Sequence, residues 1–288
     1  MVLQLTKIYP LKGKLITMSW ISNIFKKKES TSTSGASAKK PVAINNNTIQ
    51  ATKKIELISF GSELPSAICI GEIKKRIPEY YKNIYVILDN GHGEETPGKR
   101  SPDGKFREYR FNRVIVSMIA EELEKLGIAY HILVPETCDI SLKERVIRAN
   151  KIHQEQHKNG KTVILISVHA NAAGKNEWSN ATGWSGWTSK GVTESDTLAA
   201  CLYQAAHEVL DPKGMKIRKD MSDGDEDYEE NFYIVYKSSM PSVLTENFFM
   251  TTKTDVAYLN SEEGKRDITD IHIKGIQKYI ELKFNTKM

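Results

Sequence analysis

An α/β fold is predicted, with a mostly parallel, twisted sheet of about six strands covered by helices on both faces and preceded by a flexible N-terminal tail. Three observations carry this. Apolar, strand-like runs alternate with helical patterns from residue 84 to the C-terminal region. The runs YVILD (85–89) and TVILISVHA (162–170) are apolar on both faces, as strands buried from both sides require. The helical segments also begin and end on chemical signals, such as Gly127 after residues 109–126 and the Ser-Leu-Lys-Glu capping box at Ser141.

Taken in order, residues 1–53 read as a tail and linker. Residues 15–25 (LITMSWISNIF) are apolar but interrupted by polar residues, and Lys26 to Lys28 follow where a small-residue cleavage site would stand. Residues 27–53 are rich in Ser, Thr, Ala, Lys and Asn and cannot bury enough apolar surface to fold. Residues 54–83 lead into the domain, with a short strand (IELISF) and a short helix (IGEIKKRIPEYY). The domain itself spans 84–284. Strand YVILD is followed by a helix over 109–126, where apolar residues recur at helical spacing. Next come a strand over 128–134, a helix from Ser141 and the strand 162–170. A weaker strand covers 183–189, a helix 194–210, and two further strands NFYIVYKS (231–238) and SVLTENFF (242–249). An amphipathic helix closes the chain.

Composition narrows the function. The chain has 288 residues and a net charge of +5. That charge suits either ordinary solubility or an anionic surface such as a cell wall, and is far from the dense basic stripe of a nucleic-acid binder. The three cysteines, Cys69, Cys138 and Cys201, are widely spaced and form no CxxC pair, so neither a thiolate zinc site nor a disulfide framework is indicated. No segment has the run of about eighteen apolar residues that spans a bilayer, so no stable membrane insertion is expected.

In an open α/β sheet, ligands bind outside the carboxyl ends of the strands. His92 follows YVILD, in LDNGHG. His169 ends the strand 162–170, in SVHAN. Glu246 lies on the strand SVLTE, and Glu108 lies on the loop leaving His92, just before the first long helix. Each alone would pass for a turn, core or solvated residue; all four on the same side of one sheet point to a site. Two imidazoles and a carboxylate make a three-ligand set for zinc that leaves a fourth position for water. Zinc brings that water's pKa towards neutrality, and a second carboxylate can move its proton to a leaving amine. Gly91 and Gly93 would let the turn bend sharply, with Asp89 or Asn90 orienting it.

From about residue 84 to 280 the chain resembles the zinc-dependent N-acetylmuramoyl-L-alanine amidases, a family often called amidase type 3. LDNGHG resembles its D-x-G-H-G strand end. EYRFN resembles its E-x-x-x-N helix start, and SLKERVIRAN its S-L-x-x-R-x-x-x-A-N segment. ISVHANA resembles S-[IV]-H-x-N-A, and MPSVLTENFFM resembles P-x-x-L-x-E-x-x-F. The five occur in family order.

The resemblance implies one Zn²⁺ held by His92, Glu108 and His169, with Glu246 as catalytic acid/base. It implies hydrolysis of the amide between N-acetylmuramic acid and L-alanine in peptidoglycan, in cell-wall lysis or remodelling. The expected partner is peptidoglycan, not nucleic acid, for a monomer acting in the bacterial periplasm or cell wall. Without a clear signal peptide, release through a holin or another route is expected, as for a phage or prophage endolysin. The alternatives are a zinc peptidase acting on the stem peptide and a non-catalytic wall-binding module.

Departures from the family pattern set further expectations. The loop 94–107 is long and polar, and Glu94 and Glu95 rank below Glu108 as ligands. Thr245 stands where an aliphatic residue usually precedes the glutamate, and is read as packing. Only AAGKNEWSNAT separates the HAN motif from the next strand, too short for the inhibitory helix that some relatives insert, so an uninhibited enzyme is expected. The acidic stretch 220–231 is read either as lining a substrate groove or as a solvated loop. Trp178, Trp184 and Trp187 are read as packing before sugar stacking.

Overall fold

The computed structural model describes residues 78–284, with position 176 excepted. The tail, the strand IELISF and all but the end of the lead-in helix lie outside the described residues. The end of that lead-in, Glu79–Asn83, is a single 3-10 turn.

Six strands form one sheet, β1 (Ile84–Asn90), β2 (Ala129–Ile132), β3 (Thr162–Asn171), β4 (Trp184–Thr188), β5 (Tyr228–Glu229) and β6 (Ser242–Phe249). Their spatial order is β2-β1-β3-β6-β4-β5. The pairs β2–β1, β1–β3 and β3–β6 are parallel, and β4 runs antiparallel to β6. This is the mostly parallel sheet the alternation predicts.

The period of two along each strand divides its residues between two cores. Val86 and Leu88 of β1 and Ile164, Ile166 and Val168 of β3 face one side. There they meet α1 (Glu108–Lys125), α3 (Glu194–Leu210) and α6 (Glu262–Phe284) through Ile115, Ile119, Leu202, Ile271 and Ile276. Ile87, Val163 and Leu165 face the other side, covered by Val146 and Ala149 of α2 (Leu142–Lys158) and by Ile234 and Val235 of α4 (Tyr233–Lys237). Strands buried on both faces explain why β1 and β3 read as unbroken apolar runs.

Two elements depart from the sequence reading. Residues 231–238 are not a strand, because 233–237 form the short helix α4. Alternation would have put Tyr233 and Val235 on one face. Instead Ile234 and Val235 are buried side by side while Tyr233 and Tyr236 are 40% and 52% exposed, a helical phase. Both hydrogen-bonding edges of β6 are already taken by β3 and β4, so no edge there is left for another strand. The sixth strand comes instead from the acidic stretch, as β5 beside β4. Helix α5 (Lys253–Asn260), between β6 and α6, had no counterpart in the sequence reading.

Candidate metal and catalytic site

The parallel strands β1, β3 and β6 bring their carboxyl ends to one edge of the sheet, and the four predicted site residues meet there. His92 lies just beyond β1. His169 lies near the end of β3 and pairs in register with Glu246 on β6, so both side chains leave the same face. Glu108 is the first residue of α1 and is 1% exposed. His92, His169 and Glu246 line a cavity of about 390 Å³.

One donor atom each from His92, Glu108 and His169 lies within 4.8 Å of the others. Glu108 Oε1 is 3.1 Å from His169 Nδ1 and 3.3 Å from His92 Nε2. The two imidazoles stand at 89° with ring centroids 4.8 Å apart. His92 Nε2, Glu108 Oε2 and Glu246 Oε2 are buried without a hydrogen-bond partner. Orphaned polar atoms are costly in a protein interior, and here three of them belong to the four converging residues. Two imidazoles, a carboxylate and these unmet atoms fit a metal ion that favours nitrogen and oxygen, zinc among them.

The turn that carries His92 is built by its surroundings. His92 itself adopts the left-handed conformation, with φ 65°, which costs a residue bearing a Cβ. Three carbonyls of the turn are gripped from outside. Arg145 Nη1 donates to Asn90 O, Asn112 Nδ2 to Gly91 O, and Arg113 Nη1 and Arg145 Nη2 to His92 O. Gly91 is required by proximity, because a Cβ there would lie 2.1 Å from Cε1 of His169. A Cβ on Gly93 would lie 2.2 Å from the backbone nitrogen of Asp139. Gly91 leaves room for an imidazole from another strand to press against the turn.

Behind this cluster runs a buried polar chain. Arg145 pairs with Asp89 at 2.7 Å, both 2% exposed. Ser167 donates to Asp89 Oδ2 at 2.6 Å, and His169 Nε2 lies 3.2 Å from Ser167 Oγ. Asp89 therefore acts on His169 through Ser167, while the Asn90 side chain turns away to Val134 O. Arg113, Asn112, Arg145 and Ser167 were assigned no role from sequence. The segments EYRFN and SLKERVIRAN carried two of them, Asn112 and Arg145, but nothing in a linear sequence shows that they converge on one turn.

The electrostatics follow from burial and contact. Burial pushes the Glu108 carboxyl up, but the hydrogen bond with His169, the close approach of the His92 imidazole and the charge of both more than reverse this and hold it well below the usual range. Burial lowers His92, and Glu108 offsets only part of that. His169 ends above its ordinary value, because Glu108, Glu246 and Asp89 outweigh burial. Burial pushes Glu246 up to about 7, with Glu108 adding repulsion and His169 opposing it.

The other expectations fall outside this cluster. Glu94 accepts from Tyr109 Oη and Glu95 from the Asp139 backbone. Thr245 is fully buried and bonds His272 Nε2 at 2.9 Å, so its hydroxyl serves the core behind the sheet. Trp184 is fully buried, whereas Trp187 stacks on Tyr228 at 4.5 Å. In the acidic stretch, Asp227 is buried and accepts from Thr188 Oγ1 of β4.

A profile of the family described as N-acetylmuramoyl-L-alanine amidase matches residues 86–278. Among curated proteins, the chain is 26% identical over 205 residues to an endolysin of Bacillus phage SPP1, covering 69% of this chain and 66% of that one. It is also 26% identical over 228 residues to the N-acetylmuramoyl-L-alanine amidase AmiC of Neisseria meningitidis, covering 68% of this chain and 52% of AmiC. The chain thus spans about two thirds of the endolysin and about half of AmiC. Among solved structures, an N-acetylmuramoyl-L-alanine amidase from Clostridium difficile superposes with a TM-score of 0.59 at 26% identity, covering 70% of this chain and 99% of that one. The catalytic domain of CwlV from Bacillus (Paenibacillus) polymyxa, at 20% identity, gives 0.56 and covers 68% of this chain and 98% of that one, a likeness of fold.

Proposed function

The chain belongs to this family of N-acetylmuramoyl-L-alanine amidases, and we propose that it is a zinc amidase cutting the bond between the lactyl carbonyl of N-acetylmuramic acid and L-alanine in peptidoglycan. The observation that carries the reading is the convergence of His92, Glu108 and His169 around orphaned buried atoms, with Glu246 in register beside His169. His92, Glu108 and His169 would hold the zinc. When bound, zinc supplies Lewis acidity, polarising the scissile carbonyl and making water a nucleophile near neutral pH.

The chain's own groups do the rest. Glu108 stays ionised between the two imidazoles and so offers a charged oxygen to a cation. Glu246, raised towards neutrality by burial, accepts a proton from the attacking water. Water adds to the carbonyl carbon, the C–N bond breaks, and Glu246 returns the proton to the departing alanine nitrogen. The products are a lactyl carboxylate and a stem peptide with a free amine. The substrate places the action at the bacterial cell wall. No described helix is long and apolar enough to cross a membrane.

The test is mass spectrometry of soluble products from digested peptidoglycan, with and without a zinc chelator. Intact stem peptides beginning with a free L-alanine amine, lost with chelator, are expected. Stem peptides cut internally would establish a zinc peptidase instead, and no products at all would favour a wall-binding role. Glu246→Gln is expected to keep one zinc per chain by elemental analysis while activity falls about 10²–10⁴-fold. Retained activity in that variant would remove Glu246 from the chemistry.

A further inference from the structure

Glu246 stands where two cavities meet. One is the cavity of the ligand histidines. The other, about 500 Å³, also reaches Glu246 and is lined by Lys216, Arg218, Trp187 and Phe249 among others.

Arg218 is held there without an acidic partner. Its guanidinium lies 5.4 Å over the ring of Tyr228 and 5.1 Å over that of Phe249, and no ion pair satisfies it among the described residues. Tyr228 is backed in turn by Trp187, stacked at 4.5 Å and 23°. The backbone is pinned as well, since Arg218 N donates to Trp184 O at 2.8 Å and Tyr203 Oη donates to Arg218 O at 3.0 Å. By contrast, Arg145 and Arg148 spend their guanidinium groups on Asp89, Glu136 and Glu144. A guanidinium held over two rings and in no salt bridge is organised to receive a carboxylate, because its planar fork matches that shape, and its charge already reaches the neighbouring Glu246. Lys216 adds a second, exposed cation on the same wall.

We propose that this second cavity is a carboxylate-binding subsite, in which Arg218, supported by Lys216, holds an acid group of the peptide that leaves with the amine. The proposal rests on the amidase reading for its direction. The scissile carbonyl faces the ligand set, the nitrogen faces Glu246, and the chain beyond the nitrogen continues past Glu246 into the second cavity. That chain is an acidic peptide. Where its second residue is a glutamate joined through its side chain, the α-carboxylate is free unless amidated. Arg218 thereby distinguishes free from amidated stems.

The experiment uses the full chain with zinc added. Calorimetry compares L-alanyl-γ-D-glutamyl-L-lysine with its glutamate α-carboxamide analogue, and wall digestion is measured in parallel. The wild type is expected to bind the carboxylate form about tenfold more tightly, the scale of one partly solvated charge-assisted hydrogen bond. Arg218→Gln is expected to bring the two affinities within about twofold. Arg218→Lys and Lys216→Ala, milder for folding, are each expected to lower the preference about threefold. Equal affinities in the wild type, or an unchanged preference in all three variants, would overturn the subsite. Wall cleavage without a carboxylate preference would defeat the subsite and leave the amidase standing. A carboxylate preference without cleavage would support the subsite and defeat the amidase.

Discussion

At the scale of single residues, the site depends on close approach. Gly91 has no side chain because the His169 imidazole occupies the space a Cβ would take, 2.1 Å from Cε1. Gly91→Ala must therefore displace His169 or the turn, and either moves a proposed ligand. Zinc affinity, measured by competition with a chromogenic chelator, is expected to fall about 10–100-fold, the loss usual when a group that positions a ligand is disturbed. Unchanged affinity would mean that His169 is not held against the turn in solution. The glycines of LDNGHG were legible as a turn. The imidazole pressing on one of them was not, because it comes from β3, far along the sequence.

At the scale of elements, two buried polar contacts tie helices to strands. Arg145 of α2 pairs with Asp89 of β1 inside the protein and also holds the turn carbonyls. Arg145→Met leaves Asp89 buried and unpaired, which costs about 3–5 kcal/mol. Urea denaturation should show that loss as a lower midpoint at similar slope. A companion Asp89→Asn, Arg145→Met double variant should recover part of it, since no uncompensated charge then remains.

The second contact joins α6 to β6. His272 is fully buried, with Nδ1 2.7 Å from Ile268 O, which can only accept, so Nε2 accepts from Thr245 Oγ1. This fixes the neutral tautomer, and burial lowers its pKa to about 4. A depressed histidine contributes stability that is present above its unfolded pKa of about 6.5 and is lost as pH falls towards the folded value. Between pH 7 and 5 this amounts to about 2 kcal/mol. Asp227 and Glu246, both raised to about 7, have the opposite sign, losing stability as pH rises through that value. The comparison with His272→Gln isolates the histidine. The variant, less stable at pH 7, should lose about 2 kcal/mol less than wild type on going to pH 5. Parallel losses would show that His272 is already charged or not buried in solution.

At the scale of the whole molecule, a metal held by His92, Glu108 and His169 in the folded chain alone would link the ends of two strands and the start of one helix. Zinc at about a thousand times its Kd should add about 4 kcal/mol to stability. For a domain of this size that is a rise in Tm of about 10 °C. Scanning calorimetry with zinc and then with excess chelator reads it directly. The rise should be reversed by chelator and absent in His92→Ala, and a rise that survives in that variant would place the metal elsewhere.

The sequence by itself determined the layered α/β class and most elements, and it pointed to the four residues that the fold brings together. Those features depend on local patterning: apolar runs in β1 and β3, capping at Ser141, and polar residues placed at strand ends. It misread 231–238, where Ile234 and Val235 fit a short strand or a short helix equally well until the neighbours of β6 are known. Tertiary structure decided which distant groups share space. Strand order set His169 beside Glu246, and the assembled fold brought Arg145, Asn112 and Arg113 to one turn and placed Arg218 over the rings of Tyr228 and Phe249. Periodicity specifies which face of an element is buried, but not which other element will bury it. The contacts that tune the site exist only once the sheet is assembled.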